Sequence, residues 1–103
     1  MTTILCIATY LKGEEFISEC HEQGCDVLLL TEAKLAQAAW PRDAIREVHT
    51  IARTASEDEI RHVVAGIARR IRIDRVVALD DFDVETGAML REFLQAPGFG
   101  RTI

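Results

Sequence analysis

Two stretches of this chain are apolar without interruption, Ile4-Leu5-Cys6-Ile7-Ala8 and Val27-Leu28-Leu29-Leu30. Successive side chains of a strand point to opposite faces, so a strand with no polar face must be covered on both sides. Such strands belong to parallel sheets, whose crossover connections lay helices on each face. The interval between the two runs supplies a first helix. Glu14, Glu15, Glu19 and Glu22 alternate with Phe16, Ile17 and Cys20 at helical spacing, the acids in the first turn suit the positive helix start, and Gly24 supplies the left-handed residue that ends it.

The remainder continues the alternation. After Thr31 and Glu32 a short helix is expected from Ala33 to Ala39, broken at Trp40-Pro41 because proline lacks an N–H and disfavours the α region in the residue before it. A third strand is expected around Val48 to Ile51. Ser56 and Glu59 have the S-x-x-E spacing of a capping box, and Ile60, Val63, Val64, Ile67 and Ile71 recur at helical intervals behind it. Arg75 to Leu79 reads as a fourth buried strand. Asp83 is placed to cap a last helix carrying Val84, Leu90, Phe93 and Leu94 toward the sheet, which Pro97 and Gly98 stop. The expectation is one α/β domain over residues 1–103: a Rossmann-like open sheet of about four parallel strands with helices on both faces.

Composition narrows the partners. Apolar residues make up 49% and charged residues 28% of 103 positions, the balance of a chain that buries a core. The net charge of −5 repels a phosphate backbone, which argues against nucleic acid. The basic cluster Arg69, Arg70, Arg72 and Arg75 falls where a helix ends and is read as complementing its negative pole. The N-terminus lacks the basic region and cleavage site of a signal peptide, and no apolar run approaches the ~20 residues that span a bilayer. Cys6, Cys20 and Cys25 show no CxxC spacing and are expected as free thiols, which together point to a cytoplasmic location.

Ligands of an open parallel sheet gather beyond the carboxyl ends of its strands. The loop Thr9-Tyr10-Leu11-Lys12-Gly13 holds one glycine, so it is not the G-x-G-x-x-G turn of a dinucleotide fold, and no P-loop is present. Glu32 lies where such a fold keeps a ribose-binding acid, but without the glycines. Asp80, Asp81 and Asp83 could hold Mg²⁺ through oxygen ligands, yet aspartates at a strand end and helix start are favoured by backbone hydrogen bonding alone; no metal site is assigned. A receiver domain would need an acidic pair where Thr9 and Tyr10 stand. His21, His49 and His62 share no ligand spacing and are read as solvated, and no nucleophile with its base is evident, so no catalytic residue is assigned. Thr9, Tyr10, Asp81 and Phe82 are the candidate substrate-binding residues of the crevice.

The stretch from Asp74 through Asp80-Asp81-Phe82-Asp83-Val84-Glu85-Thr86-Gly87-Ala88-Met89-Leu90-Arg91-Glu92-Phe93-Leu94 to Ala96-Pro97-Gly98 resembles the strand–helix unit that closes the N-terminal, pre-ATP-grasp (biotin carboxylase N-domain-like) domain of ATP-grasp ligases. Trp40-Pro41-Arg42-Asp43 with Glu47-Val48-His49 resembles the middle of that domain in the carboxylate–amine ligase branch. Gly87 departs from the alanine expected in the family, costing helix propensity but allowing close approach to the sheet. The resemblance implies a parent enzyme that activates a carboxylate as an acyl phosphate with ATP and Mg²⁺ and passes it to an amine. It also implies that ATP, Mg²⁺ and the catalytic groups belong to two further lobes, the expected partners of this chain, which would itself hold no cofactor and act as scaffold and substrate wall. A homodimer is an alternative way to cover an exposed contact face. The competing reading is a stand-alone flavodoxin-like module that binds a small ligand or a partner.

Overall fold

The computed structural model describes residues 1–96, and the expected stop at Pro97-Gly98 lies outside them. The four strands, β1 (Thr3–Ala8), β2 (Asp26–Glu32), β3 (Glu47–Ile51) and β4 (Arg75–Ala78), form one fully parallel sheet in the order β3-β2-β1-β4. Three α-helices connect or follow them: α1 (Glu14–Glu22), α2 (Glu57–Ala68) and α3 (Val84–Leu94). The two uninterrupted apolar runs are β1 and β2, the central strands, in register with Cys6 beside Leu29 and Leu5 beside Leu28.

Both faces of that pair are covered. Leu5, Ile7, Leu28 and Leu30 point to one side, where Ile60, Val64 and Ile67 of α2 and Met89 and Leu90 of α3 close over them. Ile4, Cys6, Ala8, Val27 and Leu29 point to the other, against Ile17 and Cys20 of α1, Trp40 and Ala44. Burying each large aliphatic side chain contributes roughly 1.5–3 kcal/mol against the entropy of ordering the chain.

Local signals act where the sequence put them. At Ser56 the hydroxyl Oγ accepts the Glu59 N–H at 3.1 Å while Glu59 Oε1 accepts the Ser56 N–H at 3.3 Å, the reciprocal capping box at the start of α2. Gly24, at φ 84°, ends α1: the Cys25 N–H donates to the Cys20 carbonyl at 2.9 Å and the Gly24 N–H to that of His21 at 3.0 Å. This is a Schellman motif, with Cys20 at C3 and Cys25 at C″.

Several expectations need correction. The helix expected over Ala33 to Ala39 is one 3₁₀ turn, Ala33–Leu35, followed by bends. Trp40 is the cause: its ring is buried at 4% exposure, its Nε1–H donates to the Leu35 carbonyl at 2.9 Å, and the Arg42 guanidinium takes the carbonyls of Ala36 and Ala38. Side chains thus supply donors to the carbonyls of a segment that has no helical ladder. In α3, Leu90 is buried in the core but Val84 and Phe93 are exposed; the buried residues are the middle turn, Gly87, Ala88, Met89 and Leu90. At Gly87 the helix does lie close to the sheet: a Cβ there would sit 3.4 Å from the Ala78 Cβ, at the near edge of ordinary contact.

The arginines after α2 do more than face its carbonyl end. Arg70 forks onto Glu47 of β3 at 3.0 and 3.2 Å, and Arg72 pairs with Asp74 at 3.3 Å. His49 is half-buried and bonded to Glu47 Oε1 at 2.7 Å, not solvated, whereas His21 and His62 are exposed as expected. These bonds hold the Glu47 carboxyl down at about 2.

Candidate functional site

The chain runs outward from β1 to β2 to β3, then α2 crosses back on the opposite face to deliver β4 on the other side of β1. The direction of winding therefore switches between β1 and β4, and the crevice of such a sheet opens beyond their carboxyl ends. A cleft of about 340 Å³ lies there, walled by Thr9 and Tyr10 after β1, Glu32 at the end of β2 and Lys34 beyond it, Arg53 after β3, and Phe82, Asp83 and Thr86 after β4.

Gly13 sets the shape of the first loop. Its φ of 86° suits glycine, and a Cβ there would stand 2.8 Å from Leu79 Cδ1 and 2.9 Å from Leu79 Cβ. Only a residue without a side chain lets this loop lie against the end of β4 and start α1 immediately.

Asp83 ties the two loops together. Its Oδ2 accepts the Thr9 N–H at 2.9 Å, and Thr9 Oγ1 lies 3.0 and 3.2 Å from its two carboxylate oxygens. Asp83 is therefore not the side-chain cap of α3 that its position suggested; its carboxylate turns away from the helix to β1. Capping falls to Asp80, whose Oδ1 accepts the Phe82 N–H at 2.9 Å at the head of the 3₁₀ turn Asp81–Asp83, with Lys12 Nζ 3.5 Å from its Oδ2. At 3% exposure, burial pushes the Asp83 carboxyl up, the charges of Asp80 and Glu32 push the same way, and the bonds from Thr9 oppose them. Glu32, at 8% exposure, has Lys34 Nζ 3.5 Å from its Oε2.

Of the four candidate residues, the structure brings Thr9, Tyr10 and Phe82 to this cleft. The rings of Tyr10 and Phe82 touch at its rim, centroids 5.4 Å apart and tilted by 44°, with Phe82 77% exposed. Asp81 is exposed and lies outside the lining; Asp83, two residues on, is the aspartate that faces it. Glu32 and Arg53 also belong to the wall. The strand-end rule could have found both, since each closes or follows a strand, but only the strand order shows that β2 and β3 open on the same cleft.

In a phosphate-binding turn the backbone N–H groups after β1 face the ligand, whereas the Thr9 N–H is spent on a carboxylate. Asp80 caps the turn and Asp83 tethers Thr9, and among the described residues no group of three or more His, Cys, Asp or Glu is placed to hold a metal ion.

Fold and cleft define a Rossmann-like domain with a switch-point crevice. The model of the ATP-grasp N-terminal domain family matches residues 17–98, and the chain belongs to that family. Among solved structures it is similar to L-amino acid ligase from Bacillus licheniformis, with a TM-score of 0.81 at 19% identity. The match covers 99% of this chain and 26% of that one, so the chain spans about a quarter of the length of the protein it resembles, and at this identity the likeness is one of fold. No curated protein matches the sequence.

Proposed function

We propose that residues 1–103 are a single N-terminal domain of an ATP-grasp ligase, a scaffold whose switch-point cleft forms one wall of the substrate site. The observation that carries this reading is the exposed Tyr10–Phe82 pair at the rim of a cleft formed by the ends of all four strands. An aromatic pair left open to solvent in an isolated domain is suited to be covered by a neighbouring lobe or by substrate. The parent enzyme would work in the cytoplasm, activating a carboxylate as an acyl phosphate and transferring it to an amine. ATP and Mg²⁺ would be held by the lobes that complete it: the Thr9 N–H at this cleft is committed to Asp83, and among the described residues no group of three or more His, Cys, Asp or Glu is placed to hold a metal ion.

The test is kinetic, in the complete ligase. Tyr10→Ala and Phe82→Ala are expected to raise the KM of the carboxylate or amine substrate by about tenfold, the order of effect of losing one aromatic contact, and to leave the KM of ATP unchanged. An unchanged substrate KM in both variants, or a loss that falls on ATP instead, would overturn the reading.

A further inference from the structure

The Schellman motif at the end of α1 places two thiols side by side. Cys20 at C3 and Cys25 at C″ are joined by a direct backbone bond of 2.9 Å, and a contact between the side chains of these two positions frequently accompanies the motif. The two thiols also interact through space: after burial itself, Cys25 is the next group that pushes the Cys20 thiol up. Both side chains belong to the same apolar cluster, Cys20 within it and Cys25 packed against its edge. The two differ in access. Cys20 is buried, whereas Cys25 is half-buried and lines a surface pocket of about 110 Å³ with His21 and Arg46, large enough to admit a molecule the size of water or peroxide.

We infer that Cys20 and Cys25 form an oxidisable thiol pair, with Cys25 the site of attack by a peroxide and Cys20 the resolving thiol. In the first step the Cys25 thiolate attacks one oxygen of hydrogen peroxide. The O–O bond breaks, hydroxide leaves, and the sulfur is oxidised by two electrons to a sulfenic acid. In the second step Cys20 sulfur attacks Cys25 sulfur, the S–O bond breaks, and the hydroxyl leaves as water with the Cys20 proton. Two thiols and one peroxide thus give one disulfide and two waters, and the bridge pins the end of α1 to the start of β2. Cys6 takes no part: it lies beneath the sheet face with no exposure, and burial pushes its thiol up to about 12.

The sequence makes the test direct. Trypsin cuts at Lys12 and Lys34, so Cys20 and Cys25 share the peptide 13–34 while Cys6 lies in 1–12. After treatment of the folded chain with a small excess of hydrogen peroxide, then denaturation and alkylation, peptide 13–34 should be unalkylated and lighter by about 2 Da, with peptide 1–12 alkylated. The bridge should form at least about tenfold faster in the folded chain than in concentrated urea, because the turn brings the sulfurs together. Cys20→Ala should leave a Cys25 sulfenic acid that dimedone traps, and Cys25→Ala should leave Cys20 reduced. Equal rates in urea, a gain of about 32 Da on peptide 13–34 in place of the loss, or a crosslink between 1–12 and 13–34 would overturn the assignment.

Discussion

Asp83 offers the sharpest perturbation, because one carboxylate joins the loop after β1 to the loop after β4. Replacing it with alanine leaves the Thr9 N–H without its acceptor, and orphaning a donor in a part-buried site costs about 1–3 kcal/mol. Removing a carboxylate that burial already disfavours offsets part of that loss, so Asp83→Ala is expected to destabilise the domain by about 1–2 kcal/mol, or roughly 4–16 °C in Tm at this size. Asp83→Asn is a different case. Its Oδ1 can accept the Thr9 N–H, its amide can donate to Thr9 Oγ1, and no charge need be desolvated, so the change should stay within about 1 kcal/mol of the wild type. The pH dependence separates the two explanations. The Asp83 carboxyl is raised in the folded state, so the folded chain holds its proton to higher pH than the unfolded chain does. By linkage this group favours folding most at acid pH, and stability falls as pH rises through its raised value. Asp83→Asn removes that slope and should gain on the wild type as pH rises above the ordinary carboxyl value near 3.8. Urea titrations followed by fluorescence of the single tryptophan, Trp40, buried at 4% exposure, would measure both. An asparagine variant as unstable as the alanine one, with the wild-type pH slope intact, would refute the tether.

Other substitutions test separate parts of the account. Gly13→Ala should cost about 2–4 kcal/mol in chemical denaturation, since it combines a left-handed φ with a Cβ only 2.8 Å from Leu79. Gly87→Ala should stabilise the domain by about 0.5–1 kcal/mol through helix propensity, because the added methyl meets Ala78 at ordinary contact distance; a lower Tm would show that the space is absent. The Glu47 carboxyl is held at about 2 by Arg70 and His49, so its contribution is fully present above the ordinary value near 4.5 and is lost as pH falls through about 2. Glu47→Gln should therefore melt below the wild type at pH 7 and converge with it near pH 2, and a constant difference across that range would count against the ion pair.

What could be read from the residues depended on whether the cause was local. The apolar runs of β1 and β2, the Ser56–Glu59 box and the Gly24 stop each act within a few residues, and each appears in the fold where the pattern put it. The segment after Glu32 misled because its helical composition was overridden by a buried tryptophan and an arginine that claim its carbonyls. Asp83 misled in the same way: a good capping residue at a helix start was drawn off by Thr9, its partner 74 positions earlier. Tyr10 and Phe82 were visible as strand-end aromatics, but choosing Asp81 over Asp83 as the acid of the crevice needed the direction of each side chain in one turn. Glu32 and Arg53 joined the cleft only once the order β3-β2-β1-β4 fixed which strand ends are neighbours.

The central claim is that this domain shapes a substrate wall and leaves nucleotide binding to the rest of a ligase. Calorimetric titration of ATP with Mg²⁺ into the chain tests it most directly. The account predicts no saturable heat, because the Thr9 N–H is committed to Asp83 and the described residues offer no metal-ligand cluster. Stoichiometric binding at micromolar Kd would contradict it.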